Sequence, residues 1–221
     1  AIFPKPTPAV GTNAFLNDIS LKNCASKMTA LKTFGSSCFS GCSSLVEVET
    51  LYSGTDIILN GSCFNLCSSL KRLIITGVVS TIGSNALASI YADEIVIGGL
   101  PSATAISTSY ITGCRTNSKF TLSGTTSATG FSSCISPRII EFGSSLTTLS
   151  DALANTPQTT AMIVRATTPP TLNTASFINN MNASFKIYVP DASLSAYQAA
   201  TNWATVSTQI YAVSTYDESE D

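Results

Sequence analysis

The chain repeats itself about every two dozen residues, and no other feature restricts its fold so sharply. Val10-Gly11-Thr12-Asn13-Ala14-Phe15 is echoed by Phe34-Gly35-Ser36-Ser37-Cys38-Phe39. It returns as Leu59-Asn60-Gly61-Ser62-Cys63-Phe64 and Ile82-Gly83-Ser84-Asn85-Ala86-Leu87. Each copy runs from an apolar residue through small polar ones to a small residue and then a large apolar anchor. Weaker copies end at Ile111, Ile135, Leu153 and Phe177. The steps between successive anchors are 24, 25, 23, 24, 24, 18 and 24 residues. A second apolar column follows most anchors by nine residues: Cys24, Val48, Leu73, Val96, Phe120 and Met162. Alternation around it, as in Phe120-x-Leu122 and Phe185-x-Ile187-x-Val189, is the period of a strand. The fourth copy is slipped by one, so Ile95 and Ile97 are its inward candidates. The 18-residue step marks a deletion near Pro137 to Phe142, leaving Ile140 and Phe142 to serve as that strand.

One such unit cannot bury its own apolar side, whereas stacked units bury one another's. The pattern predicts an α/β repeat solenoid with one parallel strand per ~24-residue coil, joined by short turns or 3-10 segments. Seven to eight coils spaced by ~4.8 Å would make a body roughly 35–40 Å long. Small residues before the anchor (Ala14, Cys38, Cys63, Ala86 and Ala152) suit a tight corner. Ser, Thr and Asn in the loop columns suit backbone groups that a corner leaves unpaired.

Composition agrees, and it excludes several functions. Only 11% of residues are charged while 44% are hydrophobic, and the deficit is made up by Ser, Thr, Asn and Gly. Hydroxyl-rich extended structure fits that mixture better than a helical bundle with charged wet faces. Net charge is −2, and four acids (Asp217, Glu218, Glu220 and Asp221) sit in the last five residues. The body lacks the basic stripe that nucleic acid requires. No run approaches the ~20 apolar residues of a membrane helix, so no membrane-spanning segment is expected. Histidine is absent, which removes the commonest general base.

The strings Gly-Ser-Ser-Cys-Phe-Ser-Gly-Cys-Ser-Ser-Leu (35 to 45) and Gly-Ser-Cys-Phe-Asn-Leu-Cys-Ser-Ser-Leu (61 to 70) resemble the BspA-like leucine-rich repeats. These are surface proteins typical of Bacteroides and related gut and oral bacteria, and of some protists. The resemblance covers about residues 10 to 190 and is sharpest in the first three copies. It implies a right-handed coil and a secreted or cell-surface scaffold that adheres to host matrix protein, another cell or a glycan. It implies no enzyme, cofactor or metal. The segment Ile187-Tyr188-Val189-Pro190, followed by Leu194, Tyr197 and Trp203, is similar to the stretch that closes such arrays.

The organisation expected is a Pro-rich segment over 1–9, the solenoid over 10–190, a cap over 191–214 and an acidic disordered tail over 215–221. Proline at 190 ends a strand. Asp191 then reads as the N-cap of a helix from Ala192 to Trp203, with Trp203 packed beneath it. The alternative is an aromatic binding platform at Tyr197 and Trp203. A last strand is expected over Ile210 to Val213.

Cys38-x-x-x-Cys42 and Cys63-x-x-x-Cys67 invite a four-thiolate zinc site. Their columns also accept Ala14, Ala86 and Ile90, so buried packing by reduced thiols is the favoured reading. Cys38–Cys63 and Cys42–Cys67 disulfides are geometrically conceivable between adjacent coils. Glu47, Glu49 and Glu94 are the acids best placed for carboxylate hydrolysis, but such chemistry needs a cleft, and the bland reading is a solvated sheet face. The candidate ligand face is the outward strand positions: Glu47, Glu49, Lys71, Arg72, Glu94, Thr121, Glu141, Lys186 and Tyr188. A structural spacer is the competing reading.

Overall fold

Residues 9–23, 30–99, 113–129, 137–150, 156–174, 181–217 and 219 are described by the structure, a computed structural model. Alternating segments form the main strands: β3 (Glu47–Thr50), β5 (Arg72–Ile82), β6 (Tyr91–Gly99), β7 (Arg115–Leu122), β9 (Ile139–Phe142), β11 (Ala161–Val164) and β13 (Lys186–Val189). All are parallel and neighbours in one sheet, each coil adding one rung. Their register aligns Val48, Leu73, Ile95, Phe120, Ile140, Met162 and Ile187 in a column that is 0% exposed throughout. Ile95 and Ile97 point inward and Val96 does not, as the slipped fourth copy requires. Ile140 and Phe142 are fully buried in β9 despite the shortened coil. The anchors Ile111, Ile135, Leu153 and Phe177, with Cys24 and Ala152, lie outside the described residues.

The expected single strand per coil is an undercount. A second short strand recurs in most coils, as β1 (Ala9–Val10), β2 (Thr33–Phe34), β4 (Ile57–Leu59) and the far half of β5. Farther along it is β8 (Ser127–Thr129), β10 (Thr148–Ser150) and β12 (Thr171–Leu172). At two or three residues these strands are too short for alternation to reveal them. Between the two strands the coil turns a corner so tight that adjacent coils leave no room for a side chain. A Cβ on Gly98 would stand 2.0 Å from the Thr76 carbonyl oxygen, and one on Gly143 would stand 1.7 Å from that of Ser123.

The anchor turns carry their own hydrogen-bond ladder. Asn13, Ser37, Ser62 and Asn85 occupy one column with φ of 53–58°, and Asn17, Gly41, Leu66 and Ser89 occupy another with φ of 53–72°. These left-handed residues bend the chain so that its N–H groups alternate in direction. Phe15 N, Phe39 N and Phe64 N donate to the carbonyls of Cys38, Cys63 and Ala86 on the next coil at 2.8–2.9 Å. The amides between them close i→i−3 turns, such as Cys38 N to Gly35 O at 3.1 Å. Asn17 N and Gly41 N donate in the same way to Ser40 O and Asn65 O at 2.8 Å, giving these turn amides the acceptors that buried donors require. Hydroxyls and an amide side chain add further rungs: Asn60 Nδ2 donates to Phe34 O, Thr76 Oγ1 to Thr50 O, and Thr159 Oγ1 to Pro137 O.

After Pro190 comes a 3-10 turn, Asp191–Ser193, then α1 (Leu194–Ala199), a 3-10 segment Trp203–Gln209 and β14 (Ile210–Ala212). Two expectations need correction. The helix stops at Ala200, whose ψ of 150° is extended, and Asn202 at φ 64° leads into the separate 3-10 segment that holds Trp203. Asp191 does not cap it; its carboxylate accepts the Ser214 N–H at 3.0 Å instead. Tyr197 and Trp203 are fully buried, edge to face at 5.1 Å, so they form no binding platform. Tyr197 Oη donates to Ala166 O and Trp203 Nε1 to Pro170 O, so both polar tips are satisfied as they close the last coil. β14 adds a final parallel rung beside β13.

Candidate ligand-binding face

Side chains alternate along a strand, so burying the Val48 and Thr50 columns turns the Glu47 and Glu49 columns outward. The first outward column reads Glu47, Arg72, Glu94, Lys119, Ile139, Ala161, Lys186. The second reads Glu49, Ile74, Val96, Thr121, Glu141, Ile163, Tyr188, Tyr211. The parallel register thus sets opposite charges one rung apart. Arg72 reaches both neighbours, with Nη1 3.0 Å from Glu47 Oε1 and Nε 3.2 Å from Glu94 Oε2. These contacts, led by the bond to Glu94, raise the Arg72 pKa further. Lower down, Glu141 is held by Arg165 Nε at 2.7 Å and Lys119 Nζ at 3.6 Å.

Of the nine predicted face residues, Glu47, Arg72, Glu94 and Glu141 are therefore joined in two ion-pair clusters. Glu49 and Thr121 are half-buried in the second column, and Lys186 is exposed at the entry of β13. Lys71 lies just before β5, where its carbonyl accepts Asp93 N and its side chain lines a shallow groove with Arg72, Glu94 and Lys119. Tyr188 does not belong to the open face. It is 7% exposed, buried with Ile139, Ala161 and Ile163 beneath Val213 and Tyr216. Tyr216 meets Tyr188 edge on at 4.8 Å, so the chain past β14 folds back across the sheet. Sequence reasoning placed Tyr216 in a tail and missed this contact. Its signal is that Ile139, Ala161, Ile163 and Tyr188 interrupt the charges with apolar side chains.

Cys38, Cys42, Cys63, Cys67 and Cys114 are buried and none is in a disulfide. Cys42 Sγ donates to Phe15 O at 3.0 Å and Cys67 Sγ to Phe39 O at 3.2 Å, so these thiols serve as rungs between coils. Burial pushes Cys63 well up and Cys114 up to about 12, the range of inert thiols rather than of metal-binding thiolates. Among the described residues no cluster of Cys, Asp and Glu is arranged to hold a metal. No described helix is long and apolar enough to cross a membrane.

A main column of parallel strands, a turn ladder and an outward face that carries charged columns define a leucine-rich-repeat type solenoid with a binding or scaffold role. The description BspA type leucine rich repeat region matches residues 1–118 in six copies, more than half of the chain, and the chain belongs to that family. The structure carries the same coil past the matched part, through β7 to β13. Comparison with curated proteins produced no match.

Proposed function

We propose that this is a non-catalytic scaffold, secreted or held at the cell surface, that adheres to a host matrix protein, another cell or a glycan through the outer face of its main sheet. The observation that carries this reading is the ion-pair lattice on that face. Arg72 locks Glu47 and Glu94 across three coils, so charged side chains stand in set positions on a rigid support. Preorganised groups lose less entropy on binding than free ones. Uniform Ser and Thr coverage, which a spacer would show, is not what these columns carry. Two of the three acids considered for hydrolysis, Glu47 and Glu94, share the Arg72 guanidinium, and their side chains are 45% and 36% exposed on an open face rather than enclosed in a deep cleft.

The test is retention of the purified chain on an array of matrix proteins and glycans. Glu49→Lys and Lys71→Glu should each lower retention by about tenfold on the ligand that is found, the effect of losing one good contact. Retention on nothing, or retention indifferent to both variants, overturns the reading. Turnover in a glycanase screen would overturn the non-catalytic part.

A further inference from the structure

The acid and base alternation along the first outward column stops at Ile139. There the sheet surface becomes a groove of about 210 Å³ floored by Ile139, Ala161 and Tyr188 and walled by Tyr216. Two cations flank it, Arg138 just before β9 and Lys186 at the start of β13. Both are exposed; among the described residues neither has an ion-pair partner, and Lys186 Nζ stands over the Tyr211 ring at 5.6 Å. Arg72, Lys119 and Arg165 on the same sheet each meet a carboxylate within 3.6 Å. No described carboxylate lines the groove. Asp217, next in sequence to Tyr216, spends its Oδ1 on Ser219 N and Oγ.

We infer that this groove binds an anionic sugar residue of a glycan, with Arg138 and Lys186 on its acid group and Tyr216 against its ring. The inference rests on the scaffold reading and narrows it to one site. The volume is below the about 300–1,000 Å³ of pockets that enclose drug-sized ligands, which suits a single ring. Thr160 and Ser184 line the same space, and the Thr160 hydroxyl, which donates to Arg138 O at 3.3 Å, keeps its lone pairs for a sugar hydroxyl. An aromatic wall and an apolar floor suit the C–H faces of a pyranose. An extended acidic peptide is the poorer fit, because peptides gain affinity from unpaired sheet edges. Here β9 and β11 are hydrogen-bonded to strands on both sides, as is β13.

Binding is read by calorimetry with the intact chain. The probes are oligogalacturonate, its methyl ester, a sulfated neutral oligosaccharide and a glutamate-rich peptide. Oligogalacturonate or the sulfated sugar should bind, and whichever is tighter identifies carboxylate or sulfate as the acid. The methyl ester should bind about tenfold more weakly, the loss of one charge-assisted contact. Arg138→Ala and Lys186→Ala should each weaken binding by a similar factor. Lys22→Ala, the same charge change on an exposed side chain outside the groove, should leave it unaltered. Tyr216→Phe should retain binding and Tyr216→Ala should lose it, with unchanged circular dichroism showing that the fold persists. Equal affinity for the methyl ester, tighter binding of the peptide, or an equal loss from Lys22→Ala would sink the inference. If the array finds a protein ligand while all four probes fail, the site assignment falls and the scaffold reading stands.

Discussion

Phe39 and Phe64 stack with ring centroids 5.5 Å apart and planes inclined by 7°, although 25 residues separate them. Phe15 continues the stack at 5.4 Å from Phe39. The spacing slightly exceeds the ~4.8 Å between rungs, so the rings are offset, the arrangement aromatic faces prefer.

Removing the fully buried ring at the inner end of this stack leaves a hole that the coils on either side cannot close. Phe64→Ala should cost about 3–5 kcal/mol. Glu49→Ala, on the outer face, should stay within ~0.5 kcal/mol. Chemical denaturation of both variants measures this, and equal losses would show that the columns are assigned to the wrong faces.

Gly11 and Gly35 hold the same place in successive coils yet should respond in opposite ways. A Cβ on Gly35 would lie 2.5 Å from the Gly11 carbonyl carbon and the Thr12 nitrogen, whereas one on Gly11 meets nothing within 4 Å. Gly35→Ala should destabilise by about 1–3 kcal/mol, the usual cost of overpacking. Gly11→Ala should be neutral, or stabilising by about 0.4–1 kcal/mol through the unfolded chain. Thermal melts that lower both midpoints alike would contradict the close approach.

Leu66 takes φ 61° in the column where Gly41 stands, and its side chain is 54% exposed. A left-handed backbone costs a residue with a Cβ about 1–2 kcal/mol, and little packing offsets it here. Leu66→Asn should therefore raise stability by roughly 0.5–1 kcal/mol, since Asn tolerates this region better. A lower melting temperature would mean that Leu66 makes a contact worth more than the strain.

The thiol of Cys114 should make the protein sensitive to alkali. Burial raises its pKa from the ordinary thiol value of 9.0 to about 12. The folded chain then keeps a proton that the unfolded chain releases, so stability is full below pH 9 and falls between pH 9 and 12. The slope is about 1.4 kcal/mol per pH unit for this one group. Cys114→Ala should flatten that part of the curve when denaturation midpoints are compared across the range. An identical slope in the variant would place the alkaline loss elsewhere, with Cys63 the next candidate because burial raises its thiol from the same starting value.

The inward columns were legible residue by residue. Ile95 and Ile97 displaced Val96 as the buried pair of β6, and Ile140 and Phe142 filled the shortened coil, because a dry interior accepts only apolar side chains at alternate positions. The outward face was legible as charge but not as contact. Glu47 and Arg72 were both candidates, yet nothing in their spacing shows that one guanidinium would bridge Glu47 and Glu94. Tyr188 was misread because its cover comes from Tyr216, a residue that belongs to no repeat.

From its sequence alone the chain had settled its coil length, its fully dry columns and its capping aromatics, since each follows from a nearest-neighbour rule repeated from coil to coil. Tertiary structure alone decided the second short strand, the carboxylate of Asp191 reaching Ser214, and the return of Tyr216 across the sheet. Those contacts occur once or span only two or three residues, so periodicity carries no record of them. Their energy depends on where the stacked coils happen to bring distant groups together.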